Sequence, residues 1–357
     1  MRKLTLILAI SLLFICAGCV RVPFPDETDV NLNPWMLVED LEPNQAILNT
    51  YAVADALFLL TNDEFISISK DNNVLRRVTL PGNFSRDFRP AMASNIYARP
   101  IDGTSLEFRL TKNDFDFETI KIDAVSLGLP AGDRIELASS GKEIGAFNVT
   151  ENKFMTAVYN QDKGYHTLIV FQTLLKASTT EFLNFRVEQR IDIPEIGSGF
   201  DQIGAIKFVD PFWYVASKEG AFKIHPTNGT YEQLSPDWHR DIFRRNGKIY
   251  ITSFAPFDML ISDDNGATWT DTPAASPLRW VTTAGGALVS QDGNGQEFKT
   301  PVDEANIFEL EEMRVNRAML GRDFAGLFNS FSYFNQNFYF AVGKELYFSP
   351  ELLLEEE

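Results

Sequence analysis

Along the 357-residue chain, short runs dominated by apolar residues recur, each followed by a turn and a second such run. The first runs fall at residues 56–61, 95–100, 154–160, 212–217, 248–253, 286–290 and 337–342, and their partners at 64–70, 106–112, 166–172, 220–225, 258–262, 297–300 and 345–349. Short segments rich in Val, Ile, Phe and Tyr and bounded by turn residues predict strands, and each pair predicts a hairpin. Asp102-Gly103, Asn228-Gly229, Asn246-Gly247 and Asp292-Gly293 supply dipeptides that accept positive φ in tight turns. No long amphipathic helix separates the pairs, which argues against a parallel α/β sheet. The best helical candidate, residues 302–313 (VDEANIFELEEM), reads as an insertion in the wide gap between units that holds it.

The seven starts span 281 residues in six steps of about 47, a spacing that fits the ~40–50 residues of a four-stranded propeller blade. The expected architecture is therefore an all-β propeller, with seven blades of four-stranded antiparallel sheet. Wider intervals precede residues 154 and 212, and residues 135–139 (IELAS) are where a merged unit would lie, so six and eight blades stay open. The strand at 345–349 has no successor to complete its blade. Residues 46–53 (AILNTYAV) are expected to supply that strand and close the ring.

The N-terminus has a different pattern. Met1-Arg2-Lys3 precedes an apolar run over residues 4–15, too short to span a bilayer comfortably and typical of a signal peptide. It ends in Cys16-Ala17-Gly18-Cys19, which resembles the bacterial lipobox, with Cys16 where Leu is usual. The resemblance implies removal of residues 1–18 and lipidation of Cys19, with palmitate-type acyl chains as the membrane anchor. With Val20 next, it implies sorting to the outer membrane. The alternatives are an ordinary secretory signal cleaved after Ala17 or Gly18, or an uncleaved anchor. Residues 19–45 are rich in Pro and acid and read as a tether to a body at 46–357, although Trp35, Met36 and Leu37 are apolar enough to dock on that body.

The most specific motif lies at Ser262, Asp264, Gly266, Thr268 and Trp269. The sequence SDDNGATW fits Ser-x-Asp-x-Gly-x-Thr-Trp at every defined position. Asp264 can accept backbone N–H bonds across a turn, Gly266 tolerates positive φ, and Trp269 can return its ring onto the hairpin. Degenerate versions begin at Ser69 and Ser290, with Asn73 and Asn294 in the glycine position. The chain thus resembles the Asp-box (BNR-repeat) propellers, a group that includes sialidases, sortilin-type receptors and photosystem II assembly factors. In those families the box is a fold element and certifies no enzyme.

Charge and composition narrow the chemistry. With 32 Lys+Arg against 49 Asp+Glu the net charge is −17, which argues against a nucleic-acid partner because phosphate neutralisation needs clustered cations. Loss of residues 1–18 removes Arg2 and Lys3, leaving 30 basic against 49 acidic residues, or −19. Both cysteines belong to the leader, so the body has neither a disulfide framework nor a cysteine-based zinc site. His166, His225 and His239 are far apart without metal-ligand spacing and read as surface or turn residues; no metal or cofactor is expected. Phe88-Arg89-Pro90 lacks a residue of the sialidase signature, Asp114 and Asp116 read as solvated, and the loops at Asp263 and Asp292 lack the closing ligand of a calcium loop. These readings favour a lipid-anchored, non-catalytic envelope propeller that binds a protein partner. Phe254, Phe257, Trp238, His239, Arg76, Arg77, Arg86 and Arg89 are the candidate surface. The alternative is a glycan-binding or sialidase-like propeller with its site on the ring axis.

Overall fold

Every apolar hairpin read from the sequence forms the middle of an antiparallel sheet. The computed structural model describes residues 35–351 except 54–55, 62, 80–90, 94–95, 103, 112–116, 124, 131–132, 136–144, 149, 176–181, 198–201, 254–257, 276–277, 279, 292–297, 304–305 and 313–327. Residues 36–357 form one compact unit. The described strands pair into seven sheets. In chain order these are sheet 1 (49–79), sheet 2 (91–123), sheet 3 (134–193), sheet 4 (203–235), sheet 5 (239–275), sheet 6 (280–312) and sheet 7 (328–349 with 36–37). Six have four strands. Sheet 3 has five, because Arg134–Ile135 and Gly145–Asn148 both pair with Lys153–Asn160. The segment suspected of hiding a merged unit thus begins inside sheet 3.

Packing explains which strands were legible. The second strands Phe212–Ser217, Lys248–Ser253 and Asn337–Val342 are buried after their first residue, since a middle strand covered on both faces needs apolar side chains on both. The fourth strand of sheet 1, Val74–Thr79, is mostly exposed and carries Arg76 and Arg77. Trp213, Tyr214, Phe222, Tyr339 and Phe340 are among the largest fully buried side chains. The Phe-rich run near the C-terminus is consumed likewise: Phe331 stacks on Phe338 at 5.6 Å with their planes 7° apart, and both are buried.

The first strands of sheets 2, 4, 5, 6 and 7, with Gly145–Asn148 standing in that place for sheet 3, lie against one another in chain order, and that of sheet 7 lies against that of sheet 1. At this last junction Ser330 Oγ donates to Asn49 Oδ1 (2.9 Å) and accepts from the Thr50 backbone N–H (2.9 Å). Radial sheets meeting at their first strands make a β-propeller.

Two expectations are corrected. The strand that completes sheet 7 is Met36–Leu37, in register Met36↔Phe348 and Leu37↔Tyr347, while Asn49–Val53 opens sheet 1. Two residues suffice because neighbouring bonds extend the attachment: Val38 N–H donates to Leu346 O (2.8 Å) and Ile47 N–H to Gly343 O (2.7 Å). The expected helix at 302–313 is instead part of a hairpin, Phe298–Asp303 with Asn306–Glu312, in which Pro301 opposes Leu310. Ile307, within the segment expected to be helical, is buried in the packing between sheets 5 and 6.

Candidate functional site

Sheet 5 brings the Ser262–Trp269 motif, Trp238 and His239 onto one element, but at opposite ends. Its first strand, His239–Arg245, starts beside Trp238 and finishes at the Asn246-Gly247 turn, where φ values of 50° and 77° meet the two-residue hairpin requirement. The Ser262–Trp269 turn connects the third and fourth strands at the Lys248 end, with Lys248 Nζ 2.9 Å from Asp263 Oδ1.

Within that turn Asp264 is the acceptor hub. Its Oδ1 accepts from Ser262 Oγ (2.9 Å), Ala267 N–H (3.0 Å) and Thr268 N–H (2.8 Å), and its Oδ2 accepts from Thr268 Oγ1 (2.7 Å). Ser262 Oγ in turn accepts from Gly266 N–H at 2.7 Å. The Thr268 hydroxyl and backbone hydrogen bonds, with those from Ser262 and Ala267, hold the Asp264 carboxyl at about 2. The Asp264→Ala variant is therefore expected to melt at a lower temperature than wild type, and Asp264→Asn, which keeps one acceptor oxygen, to fall between them. The sign of the pH dependence follows from a folded value below the ordinary one. The charge-linked stabilisation is complete above the usual carboxylate range and is lost as pH falls through about 2. Thermal melts of the three proteins between pH 7 and pH 2 check both statements.

The turn rests on sheet 4. Trp269 meets Tyr214 edge-on at 5.8 Å, and Gly266 sits at φ 82° directly over the Tyr214 hydroxyl. Burial pushes the Tyr214 hydroxyl up to about 12, and its oxygen has no hydrogen-bond partner among the described residues. Lys223 Nζ donates to Gly266 O (2.6 Å) and lies 4.1 Å above the Phe212 ring. Arg244 Nη2 donates to Asp210 O (2.9 Å) and Asn265 Oδ1 (3.1 Å), tying the turn to the first strand of its own sheet and to sheet 4.

The remaining candidates do not converge. Trp238 is half-buried with Lys218 Nζ 5.4 Å over its ring. His239 is fully buried, as is His166, whose Nδ1 lies 3.2 Å from Gly197 O; both correct the surface expectation, whereas His225 is exposed. Arg76 is exposed on sheet 1. Arg77 is held by buried Glu64 at 3.3 Å and donates to Leu41 O, while Asn44 N–H donates to Glu64 Oε1 (2.8 Å). The pair therefore pins the 41–44 segment to sheet 1. Phe254, Phe257, Arg86, Arg89, Cys19, and Asp114 with Asp116 lie outside the described residues. Among the described residues no three His, Cys, Asp or Glu side chains gather as a metal site. The sequence reading missed Lys207 and Lys223 and did not single out Arg244 within the candidate segment 236–245; only strand pairing brings the three to one corner.

No protein-family model matches the chain, and no curated protein matches it. Solved structures do. The extracellular domain of BT4673 from B. thetaiotaomicron superposes with a TM-score of 0.54 at 11% identity, over 88% of this chain and 39% of that one. This chain thus spans well under half of that protein's length. The Cps50 (Swd1) β-propeller domain of Myceliophteria thermophila gives 0.53 at 8% identity, over 86% and 97%. The Pan2 WD40 domain of Neurospora crassa gives 0.51 at 9% identity, over 90% and 98%. Likenesses at such low identity show the fold alone, and together with the sheet topology they make this chain an all-β propeller.

Proposed function

We propose that the protein is a lipid-anchored bacterial envelope propeller of seven blades, related to the Asp-box group, that acts as a non-catalytic scaffold for an envelope protein partner. The observation that carries this reading is the order of features at the N-terminus. A lipobox-like Cys16-Ala17-Gly18-Cys19 is followed, seventeen residues after Cys19, by the strand Met36–Leu37 that closes sheet 7. An acyl group on Cys19 would hold the body within roughly 60 Å of the outer membrane, from the ~3.5 Å reach of each extended residue. Confinement of that kind raises the effective concentration of a partner in the same membrane. The ring of sheets supplies two loop faces on a rigid support. The −17 net charge supports a neutral or basic protein partner over nucleic acid.

The anchor is tested by mass analysis of the mature N-terminus. An acylated Cys19 is the expected result, and an unacylated chain beginning elsewhere overturns it. Recovery of a stoichiometric envelope protein tests the scaffold role.

A further inference from the structure

Three consecutive first strands, those of sheets 4, 5 and 6, enclose a recess of about 500 Å³ whose lining includes Lys207, Phe208, Asp210, Arg244, Thr282 and Thr283. Its size falls within the ~300–1,000 Å³ of small-molecule sites. A second recess of about 380 Å³ adjoins it through the shared Asp210 and Arg244 and adds Lys223. Three cations thus line this corner of a chain that carries −17 overall. Among the described residues that line the first recess Asp210 is the single carboxylate; Asp264 borders the second, but both its oxygens are occupied by the turn.

We propose that the first recess binds a small ligand bearing an oxyanion, a carboxylate or a phosphate, gripped by Arg244 and Lys207. The guanidinium is already oriented. Both of its hydrogen bonds, to Asp210 O and Asn265 Oδ1, use Nη2, and Nη1 and Nε have no partner among the described residues. A planar fork held from one side presents its remaining N–H groups in the geometry that carboxylate and phosphate oxygens match. Thr282 and Thr283, adjacent on the first strand of sheet 6, also line the recess. The strand carrying them, Trp280–Ala284, pairs with another strand on one edge only, so half its backbone N–H groups are not used by the sheet. Phe208, half-buried beside Lys207, supplies an apolar wall for the uncharged part of the ligand. An anion approaching an acidic protein is repelled except where local cations reverse the field, so binding here weakens as salt screens that attraction.

The experiment is calorimetric titration of the detergent-purified full chain with D-glucuronate, with inorganic phosphate and with D-glucose as the neutral control. Saturable binding of glucuronate or phosphate but not glucose is expected, weaker at least tenfold in Arg244→Gln and at least threefold in Lys207→Gln. Whichever of the two anions binds identifies the oxyanion. Melting curves of both variants accompany the titrations; should Arg244→Gln fail to fold because its tie to the turn is lost, Lys207→Gln decides alone. Absence of saturable binding by either anion overturns the proposal, as does binding that the variants leave unchanged. Neither outcome bears on the scaffold reading, which needs no small ligand.

Discussion

Replacing Gly266 with Ala is expected to destabilise the protein by about 2–5 kcal/mol, and replacing Tyr214 with Phe in the same chain is expected to recover much of that loss. Two costs add at Gly266. At φ 82° an L-residue is in the left-handed region, worth about 1–2 kcal/mol. A Cβ there would also stand 2.1 Å from the Tyr214 hydroxyl oxygen, an overlap that forces the turn off sheet 4 and costs about 1–3 kcal/mol. The next nearest atom, the ring carbon bearing that oxygen, is 3.3 Å away, a contact that relaxes by a few tenths of an ångström. Tyr214→Phe deletes the clashing atom, which is buried without a hydrogen-bond partner among the described residues, so by itself it should change stability by less than ~1 kcal/mol. Urea unfolding of the wild type, both single variants and the double variant forms the cycle. Strict additivity would mean that the turn does not rest on Tyr214.

His239 is expected to dominate the loss of stability in mild acid. Burial is the main influence, and it lowers the imidazole to about 4; the Asp237 charge and the Thr252 backbone favour the charged form without offsetting it. Above the unfolded value near 6.5 both states are neutral and the residue contributes no pH dependence. Between about 6.5 and about 4 the unfolded chain takes up a proton that the folded chain refuses, so stability falls as pH falls, by about 3 kcal/mol over the whole window. A His239→Phe variant keeps the volume without the proton site. Its stability should decline less between pH 6.5 and pH 5 than the wild type's, by about 1–2 kcal/mol. Parallel denaturant curves at the two pH values for both proteins measure this, and equal slopes would show that His239 titrates normally.

Both predictions concern residues whose environment strand pairing creates, and that marks where the sequence was readable. Apolar runs such as FWYVAS and NFYFAV announce themselves because a strand packed on two faces has no polar side. The first and fourth strands of the sheets carried weaker signals. Val74–Thr79 is largely solvent-facing, and Arg134–Ile135 and Met36–Leu37 are too short to have a period. Residues 302–313 were read as a helix because the segment by itself shows no facing strand; Phe298–Asp303, whose pairing decides the matter, is a partner that local sequence does not reveal. The Ser262–Trp269 turn was legible because its chemistry is local: all of Asp264's acceptor bonds close within four residues. Arg77 was placed on the candidate surface because its partner Glu64 lies across a strand pair, and the backbone it grips lies 36 positions earlier. Lys207 and Arg244 are 37 positions apart on different sheets, and nothing in either local sequence signals a shared recess.

The scaffold reading stands or falls on a partner. The full chain, carrying an affinity tag at its C-terminus, would be captured in mild detergent from membranes of cells that express it, and the recovered proteins quantified against it. On that reading one envelope protein is predicted at a fixed ratio across independent preparations, and the ratio should collapse when Cys19→Ala removes the proposed acylation site and, with it, the proposed membrane confinement. Recovery of the chain alone, with no protein at constant stoichiometry, would contradict the account.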